Sequence, residues 1–289
     1  MLGFGRKQRE EEREVHRAKV AQDDPIKLRV RDLHKTYGDH HVLKGISLDI
    51  FRGKINMILG PSGSGKTVLM RQIIRLEEPD AGQILLDGVD ISRIRGLELE
   101  SIRHKFGMVF QQSALFDSMS VFDNVAFPLR EHTKLRRKEI RERVMSRLKD
   151  LGVEHAWNKM PSELSGGMQK RVAVARAIVM ETEVVIYDEP TTGLDPITAR
   201  AVDDLIQEAQ EKFGITTLII SHDMASVFRI ADNLNFLYFG RIEASGTPQQ
   251  FMSADSPATQ KFLAASGVSS EGLEGDMQMP TDADRAAGE

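Results

Sequence analysis

Cysteine is absent from the 289-residue sequence, which excludes a disulfide framework, a thiolate metal site and a cysteine nucleophile. No stretch approaches about eighteen consecutive apolar residues, so we expect no membrane-spanning helix. The N-terminus lacks a basic start followed by an apolar core, and we therefore expect no secretory signal. A net charge of −4 gives no support to bulk electrostatic attraction to nucleic acid. A cytosolic location fits these absences.

The most specific pattern present is a glycine-rich stretch that fits G-x-x-x-x-G-K-[ST], the phosphate-binding P-loop. It comprises Gly60, Pro61, Ser62, Gly63, Ser64, Gly65, Lys66 and Thr67. An apolar run over 54–59 predicts a buried parallel strand before it, and apolar residues at helical spacing over 68–74 follow it. In that setting Lys66 can reach the β- and γ-phosphates of a nucleotide, and Thr67 can hold Mg²⁺. The plainer alternative is a glycine-rich turn with a solvated lysine.

A second predicted strand ends in two adjacent acids. Residues 184–187 are apolar and favour a buried strand, and Asp188 and Glu189 follow at the carboxyl end, where open α/β sheets bind ligands. We expect Asp188 to hold Mg²⁺ through water and Glu189 to act as general base toward an attacking water. The alternative, an acidic cap on a strand end, loses weight beside a P-loop because such a buried pair needs a cation.

A third anion-binding element has the sequence LSGGM at 164–168. Ser165, Gly166 and Gly167 would expose backbone N–H groups at the start of a helix predicted over 168–180. Together the three elements resemble those of ATP-binding-cassette (ABC) ATPases, in which LSGG opens the signature motif. The family consensus has Gln where this chain has Met168. The resemblance implies that two cassettes pair head to tail, with ATP and Mg²⁺ held between one P-loop and the partner's signature.

Four further residues match motifs of the ABC family one by one. Tyr37 resembles the aromatic residue that stacks on adenine, and Gln111 resembles the glutamine that senses Mg²⁺ and the attacking water. Asp195 resembles a residue of the loop that couples the two sites across the dimer, and His222 resembles the switch histidine that contacts the γ-phosphate. Each has a plainer alternative, because aromatic residues near strand ends are more often core residues and single histidines there are usually structural. Gln112 leaves the register at Gln111 slightly open.

The whole pattern predicts an α/β fold of the ABC ATPase type: a parallel-sheet core with the P-loop, an antiparallel β subdomain and an α-helical signature subdomain. We expect a charged N-terminal arm over 1–25, an ATPase domain over 26–265 with its helical subdomain at about 113–180, and an acidic, disordered tail over 266–289. Nine basic and four acidic residues over 130–150 predict a solvated helix face, with a role near anionic lipid headgroups as the alternative.

A transporter subunit is favoured over an ABC protein that acts on nucleic acid, because the chain has one P-loop, one signature, no heptad run and no zinc site. Residues 111–133, 160–168 and 195–198 are similar to the ATPase of Mla-type phospholipid transporters, which work with MCE proteins. The resemblance covers about 26–265. It implies an ATPase that powers phospholipid transport between inner and outer membranes from the cytoplasmic face of the bacterial inner membrane.

That resemblance also implies partners: a second copy of the chain, a multi-pass permease, a STAS-domain regulator and a membrane-anchored MCE protein, with no nucleic acid. Small-solute importers and lipoprotein-release ATPases share every catalytic residue named here, so both stay open as alternatives. In ABC proteins the region after Gln111 receives a coupling helix of the permease. Leu115, Phe116 and Met119 are predicted to form that docking groove or, equally, to belong to the subdomain core.

Overall fold

The structure is a computed structural model that describes residues 24–266. The strands are β1 (Ile26–Tyr37), β2 (His40–Phe51), β3 (Ile55–Leu59), β4 (Ala81–Leu86), β5 (Val89–Asp90), β6 (Phe106–Phe110), β7 (Val184–Asp188), β8 (Thr216–Ser221), β9 (Asn233–Tyr238) and β10 (Arg241–Gly246). The α-helices are α1 (Lys66–Ile73), α2 (Gly96–Arg103), α3 (Val121–His132), α4 (Arg137–Asp150), α5 (Gly166–Ile178), α6 (Pro196–Phe213), α7 (Met224–Ile230), α8 (Pro248–Met252) and α9 (Pro257–Ala265).

A six-stranded sheet in the order β10-β9-β3-β8-β7-β6 forms the centre, and its strands pair in parallel except at the β9–β10 hairpin. Its central strands are continuous apolar runs, and alternate residues enter two different cores: Met57 one and Ile58 the other. Burial on both faces explains why these strands show no polar alternation. Their carboxyl ends share one edge, where Asp188 pairs with Phe110 on one side and Ile220 on the other.

A four-stranded antiparallel sheet in the order β2-β1-β4-β5 packs over one face of that centre. Its alternating apolar residues, among them Val30 and Leu48, are buried in the same core as Ile58 of β3 and Leu69 of α1. This shared core fixes α1, the helix that carries Lys66, between the two sheets. The predicted antiparallel strands and parallel core are confirmed, and so is the α/β fold class.

Helices α3, α4 and α5 pack together in the second core, on the face of the central sheet opposite the antiparallel sheet. The predicted apolar stripe of α4 is buried at Ile140, Val144 and Leu148. The boundaries predicted for the helix after the signature, 168–180, are wrong by two residues, because α5 spans Gly166–Ile178. The cause is its cap: the Ser165 hydroxyl accepts the Met168 N–H at 3.4 Å, which starts the helix at the first glycine.

The two predicted terminal segments lie almost wholly outside the described residues, which begin at 24 and end at 266. Their structures, and the domain boundaries drawn from them, stay predictions. Over the described range, every helix is too short or too polar to cross a bilayer.

Candidate functional site

The P-loop (60–67) leaves β3 and leads into α1 in a conformation that depends on glycine. A Cβ at Gly60 would lie 2.1 Å from the Leu237 carbonyl oxygen, so a larger residue cannot fit against β9. Gly63 and Gly65 have φ of +77° and +108°, values that favour glycine. Helix α1 has no side-chain cap and no acid in its first turn. Its N-terminus therefore offers unpaired N–H groups and a positive dipole end, which is a site for an anion.

Lys66 is 8 % exposed at the base of that loop. Its Nζ donates to the carbonyl oxygens of Gly60 at 2.7 Å and Pro61 at 3.2 Å. Burial lowers the pKa of Lys66, and the nearby Glu189 carboxylate, whose Oε1 lies 3.7 Å from Nζ, opposes that effect. The Ser64 hydroxyl is buried without a hydrogen-bond partner within residues 24–266. A buried polar atom without a partner, in a loop that leads into an uncapped helix N-terminus, fits a phosphate-binding loop.

The two acids at the end of β7 differ in their surroundings. Asp188 is half-buried, and burial together with the neighbouring Glu189 charge raises its pKa, an effect that a bound cation would offset. Glu189 has a φ of +49°, a strained value for glutamate, and its N–H donates to the Ile220 carbonyl oxygen at 2.8 Å. Its Oε2 lies 2.9 Å from His222 Nδ1, so the structure brings Lys66, Glu189 and His222 together.

Gln111 lies in the loop after β6, at the same edge of the sheet, and its Nε2 donates to the Thr192 carbonyl oxygen at 3.3 Å. Helix α5 holds this loop with two cations. Lys170 Nζ donates to the Gln111 carbonyl oxygen, and Arg176 donates to those of Ser113 at 2.9 Å and Ala114 at 2.8 Å. Burial lowers the pKa of both cations.

Sequence reasoning placed Thr192 in the coupling loop that contains Asp195 but gave it no role of its own, and it missed Lys170 and Arg176. For Lys170 and Arg176 the available signal was the presence of three cations, Lys170, Arg171 and Arg176, within the mostly apolar stretch 172–179 or just before it.

Of the remaining predicted site residues, Gly166 and Gly167 line a cavity of about 380 Å³ together with Gln111. Ser165 caps α5, and Gly166 and Gly167 are exposed, with open space where a Cβ would stand. Asp195 caps α6 by accepting the N–H groups of Ile197 and Thr198, both at 3.1 Å, and hydrogen bonds from Thr198 lower its pKa. Within residues 24–266, neither element hydrogen-bonds to the P-loop.

Tyr37 ends β1 at 44 % exposure. Its hydroxyl donates to Glu77, and Lys35 Nζ lies 5.4 Å from its ring centroid. The ring therefore already contacts a cation, and its role toward adenine stays a prediction.

A family profile described as "ABC transporter" matches residues 43–192, just over half of the chain. The chain belongs to the ABC transporter family. The matched stretch includes the P-loop, Gln111, the signature and the acidic pair, so this ABC protein is an ATPase that converts ATP and water to ADP and phosphate.

Curated relatives match 81 to 91 % of the chain. It is 43 % identical over 234 residues to the "Intermembrane phospholipid transport system ATP-binding protein MlaF" of Escherichia coli K12, which covers 81 % of this chain and 87 % of that protein. It is 37 % identical over 262 residues to the "Probable ribonucleotide transport ATP-binding protein mkl" of Mycobacterium leprae, which covers 91 % of this chain and 76 % of that protein.

Solved ABC cassettes share the fold. CbiO1 from Clostridium perfringens, described as part of the ABC transporter complex CbiONQ, superposes with a TM-score of 0.74 at 37 % identity and covers 83 % of this chain and 96 % of its own. The cassette MJ0796, solved as a dimer bound to ADP and phosphate, gives a TM-score of 0.66 at 31 % identity and covers 76 % of this chain and 98 % of its own. Cassettes of this family bind ATP, form dimers and work with a membrane permease.

A groove of about 920 Å³ opens on the ABC chain beside the Gln111 loop. Phe116, one of three residues predicted for docking, lines it and packs on Phe127 at 5.0 Å between ring centroids. Leu115 instead packs against the core, and Met119 does not line the groove. Phe116 thus fits the docking alternative and Leu115 the core alternative, whereas Met119 belongs to neither set of residues. The groove's other apolar lining includes Phe106, Met108, Phe110, Pro128 and Met180.

Proposed function

We propose that this ABC ATPase powers phospholipid transport between the inner and outer membranes of a bacterium, through a separate permease. The observation that carries the proposal is the 43 % identity to the E. coli phospholipid transport ATPase over 87 % of that protein's length. Binding to that permease would hold the chain at the cytoplasmic face of the inner membrane.

The nucleotide would bind in the P-loop, with its phosphates surrounded by the amides of residues 60–67 and contacted by Lys66. Mg²⁺ would be held by Thr67, Asp188 and Gln111, and it would neutralise charge on the phosphate oxygens. Across residues 24–266, no three histidine or carboxylate side chains are grouped to hold a metal alone. The donors Thr67, Asp188 and Gln111 fit Mg²⁺, which commonly takes one or two carboxylates together with substrate phosphates and water.

Hydrolysis would proceed by in-line attack of water on the γ-phosphorus. Glu189 accepts a proton from that water as the oxygen bonds to phosphorus and the bond to the β-phosphate oxygen breaks, releasing ADP. Lys66 and His222 donate to the γ-phosphate oxygens, on which charge is spread in the transition state. The 2.9 Å contact between His222 Nδ1 and Glu189 Oε2 supports these roles, because it places the proposed base directly beside the proposed γ-phosphate donor.

A second copy of the chain would complete each site. Ser165, Gly166 and Gly167 are exposed at the N-terminus of α5, where their backbone N–H groups would be accessible to a partner's γ-phosphate. Asp195 would lie in the loop that connects the two sites across this dimer. The dimeric MJ0796 cassette supports this arrangement.

The groove beside Gln111 would receive a short helix of the permease. Its aromatic and methionine lining suits an amphipathic helix, and Phe116 is 42 % exposed within it. By resemblance to Mla systems, a STAS-domain regulator and an MCE-domain protein would join the complex.

The proposal can be tested by isolating the complex from membranes through a tag on this chain. We expect a permease and phospholipid to co-purify, and phospholipid to stimulate ATP hydrolysis. A co-purifying periplasmic solute-binding protein would favour a small-solute importer, stimulation by lipoprotein would favour lipoprotein release, stimulation by ribonucleotides would favour the activity named for the mycobacterial relative, and co-purifying nucleic acid would favour a non-transport role.

Two matched variants test the groove. Phe116→Ala should detach the chain from the permease, whereas Trp157→Ala, at 38 % exposure outside the groove, should not. Equal retention of both variants on the permease would contradict the docking assignment.

A further inference from the structure

Two side chains assigned above to the attacking water, Glu189 and Gln111, both contact one residue to which the proposed reaction gives no role. Thr192 Oγ1 donates to Glu189 Oε2 at 2.8 Å, and the Thr192 carbonyl oxygen accepts from Gln111 Nε2 at 3.3 Å. Its N–H also approaches the Glu189 carbonyl oxygen at 3.4 Å. Thr192 is half-buried and lies between the acidic pair and the loop that contains Asp195. The position of Glu189, the proposed general base, therefore depends on Thr192.

The two oxygens of Glu189 have different environments. Oε2 is contacted by the Thr192 hydroxyl and by His222 Nδ1, whereas Oε1 faces Lys66 Nζ at 3.7 Å. A carboxylate held at one oxygen by two donors has a fixed orientation, and Oε1, which is farther from Lys66 Nζ than a hydrogen bond allows, keeps its lone pairs for a proton. The glutamate backbone is strained at this position, and strained residues persist where their surroundings hold them.

The two donors to Oε2 are not equivalent. His222 Nδ1 donates only when the proton is on that nitrogen, and the histidine leaves Glu189 if it turns to a γ-phosphate. The threonine hydroxyl can donate whatever the tautomer of the histidine. Thr192 is therefore the donor that can stay on Glu189 during turnover.

We propose that Thr192 is a positioning residue for hydrolysis: its hydroxyl holds Oε2 of Glu189, so that Oε1 takes the proton of the attacking water. This inference rests on the proposed role of Glu189 as general base. Because the Gln111 amide binds the carbonyl oxygen of the same residue, Thr192 also sets the distance between the two groups that orient the water.

The test compares steady-state ATP hydrolysis by the full-length chain in its permease complex. Thr192→Val removes the hydroxyl and keeps the shape, whereas Thr192→Ser keeps the hydroxyl. We expect Thr192→Val to lower kcat by about 10- to 100-fold, as misplacement of a catalytic group does, with KM changed by less than about twofold. Thr192→Ser should return kcat to within about threefold of wild type.

A matched control is Thr216→Val, which removes a buried hydroxyl that accepts the Gly53 N–H at 3.0 Å, at the opposite end of β8 from the site. Its kcat should equal that of wild type, because its hydroxyl touches no reacting group. If Thr192→Val fails to fold, Thr192→Ala takes its place, with affinity for a non-hydrolysable ATP analogue as the check on folding.

Three results would overturn the inference: a wild-type kcat for Thr192→Val, a Thr192→Ser variant as slow as Thr192→Val, or a loss confined to KM. Failure of the underlying proposal is distinguishable. If Glu189→Gln hydrolyses ATP at the wild-type rate, Glu189 is not the general base. If Glu189→Gln is inactive and Thr192→Val is fully active, only the role proposed for Thr192 is refuted.

Discussion

The P-loop half and the signature half of this cassette differ in how far a single chain completes them. In the P-loop half, residues from three strand ends meet, and Lys66 and His222 lie 3.7 and 2.9 Å from the Glu189 carboxylate. In the signature half, Ser165 and Asp195 cap their own helices, and Gly166 and Gly167 are exposed. One chain thus assembles the hydrolytic groups but presents its signature outward. This difference is what a head-to-tail dimer requires.

The largest effect on the P-loop half is expected from Glu189→Gln. Loss of a general base typically costs 10²- to 10⁴-fold, so we expect turnover to fall by about 10³-fold while ATP still binds. The variant should accumulate as an ATP-bound dimer, because the charge that opposes the γ-phosphate is gone. Phosphate release and size-exclusion chromatography with ATP measure the two effects. Hydrolysis near the wild-type rate would show that the acid at the end of β7 is not the base.

A mixing experiment tests whether the two halves come from different chains. Lys66→Ala should abolish hydrolysis through the P-loop, and Gly166→Asp should abolish it through the signature by placing a negative charge opposite phosphate. Gly166 has open space around it, so the substitution leaves the fold intact.

Mixing the two inactive proteins yields heterodimers with one intact site, and we expect hydrolysis to reappear. Lys66→Ala mixed with a Lys66→Ala, Gly166→Asp double variant is the control and should stay inactive. If the first mixture also stays inactive, the head-to-tail arrangement is contradicted.

A smaller effect concerns the contact between the two halves. Asp203 lies on α6, which begins beside Asp195, and it accepts Arg229 Nη1 of α7, the helix after His222, at 2.7 Å. Burial raises the pKa of Asp203 to about 6. The folded state therefore binds this proton more tightly than the unfolded chain. The resulting stabilisation is complete below about pH 4 and is lost as the pH rises through about 6.

Asp203→Asn should remove that pH dependence, which is worth on the order of 2 kcal/mol in the free energy of unfolding between pH 4 and 7. Thermal unfolding across this range measures it. Asp204→Asn, at the exposed neighbouring position, should keep the wild-type slope. An unchanged slope in Asp203→Asn would assign the pH dependence to other groups.

The smallest effect separates side chain from backbone in the signature. Ser165→Ala removes a cap whose hydrogen bond is long, at 3.4 Å, and should lower the free energy of unfolding by about 0.5–1 kcal/mol. We expect its hydrolysis to stay within about fivefold of wild type, because the backbone N–H groups make the phosphate contacts. Denaturant unfolding and ATPase rates measure the two quantities. A loss as deep as that of Gly166→Asp would make the hydroxyl itself the phosphate ligand.

Much of the fold and part of the site were predictable from local pattern. The apolar run before Gly60 and the four apolar residues before Asp188 predicted buried parallel strands, and the structure confirms both. Parallel strands place their carboxyl ends on one edge, which explains why residues predicted separately at these ends, such as Lys66 and Glu189, lie close together.

Other features were not predictable. Lys170 and Arg176 bind carbonyl oxygens 59 to 63 residues earlier in the chain, and such long-range pairs leave no periodic trace. Helix α8, with five residues, is too short to show a helical period.

The sequence by itself determined which chemical groups this protein has and where its central strands end. Glycine loops, apolar runs and the acids at their ends are patterns of residues that are adjacent in the chain, so they can be recognised without the fold. Only the tertiary structure decided which groups meet. Glu189 and His222 are 33 residues apart and touch because β7 and β8 pair in one register. Thr192 donates to Glu189 across the turn that follows β7, in which Glu189 has a positive φ. Hydrogen bonds near 3 Å depend on that register, and a slip of one residue would direct every side chain on the strand to the other face.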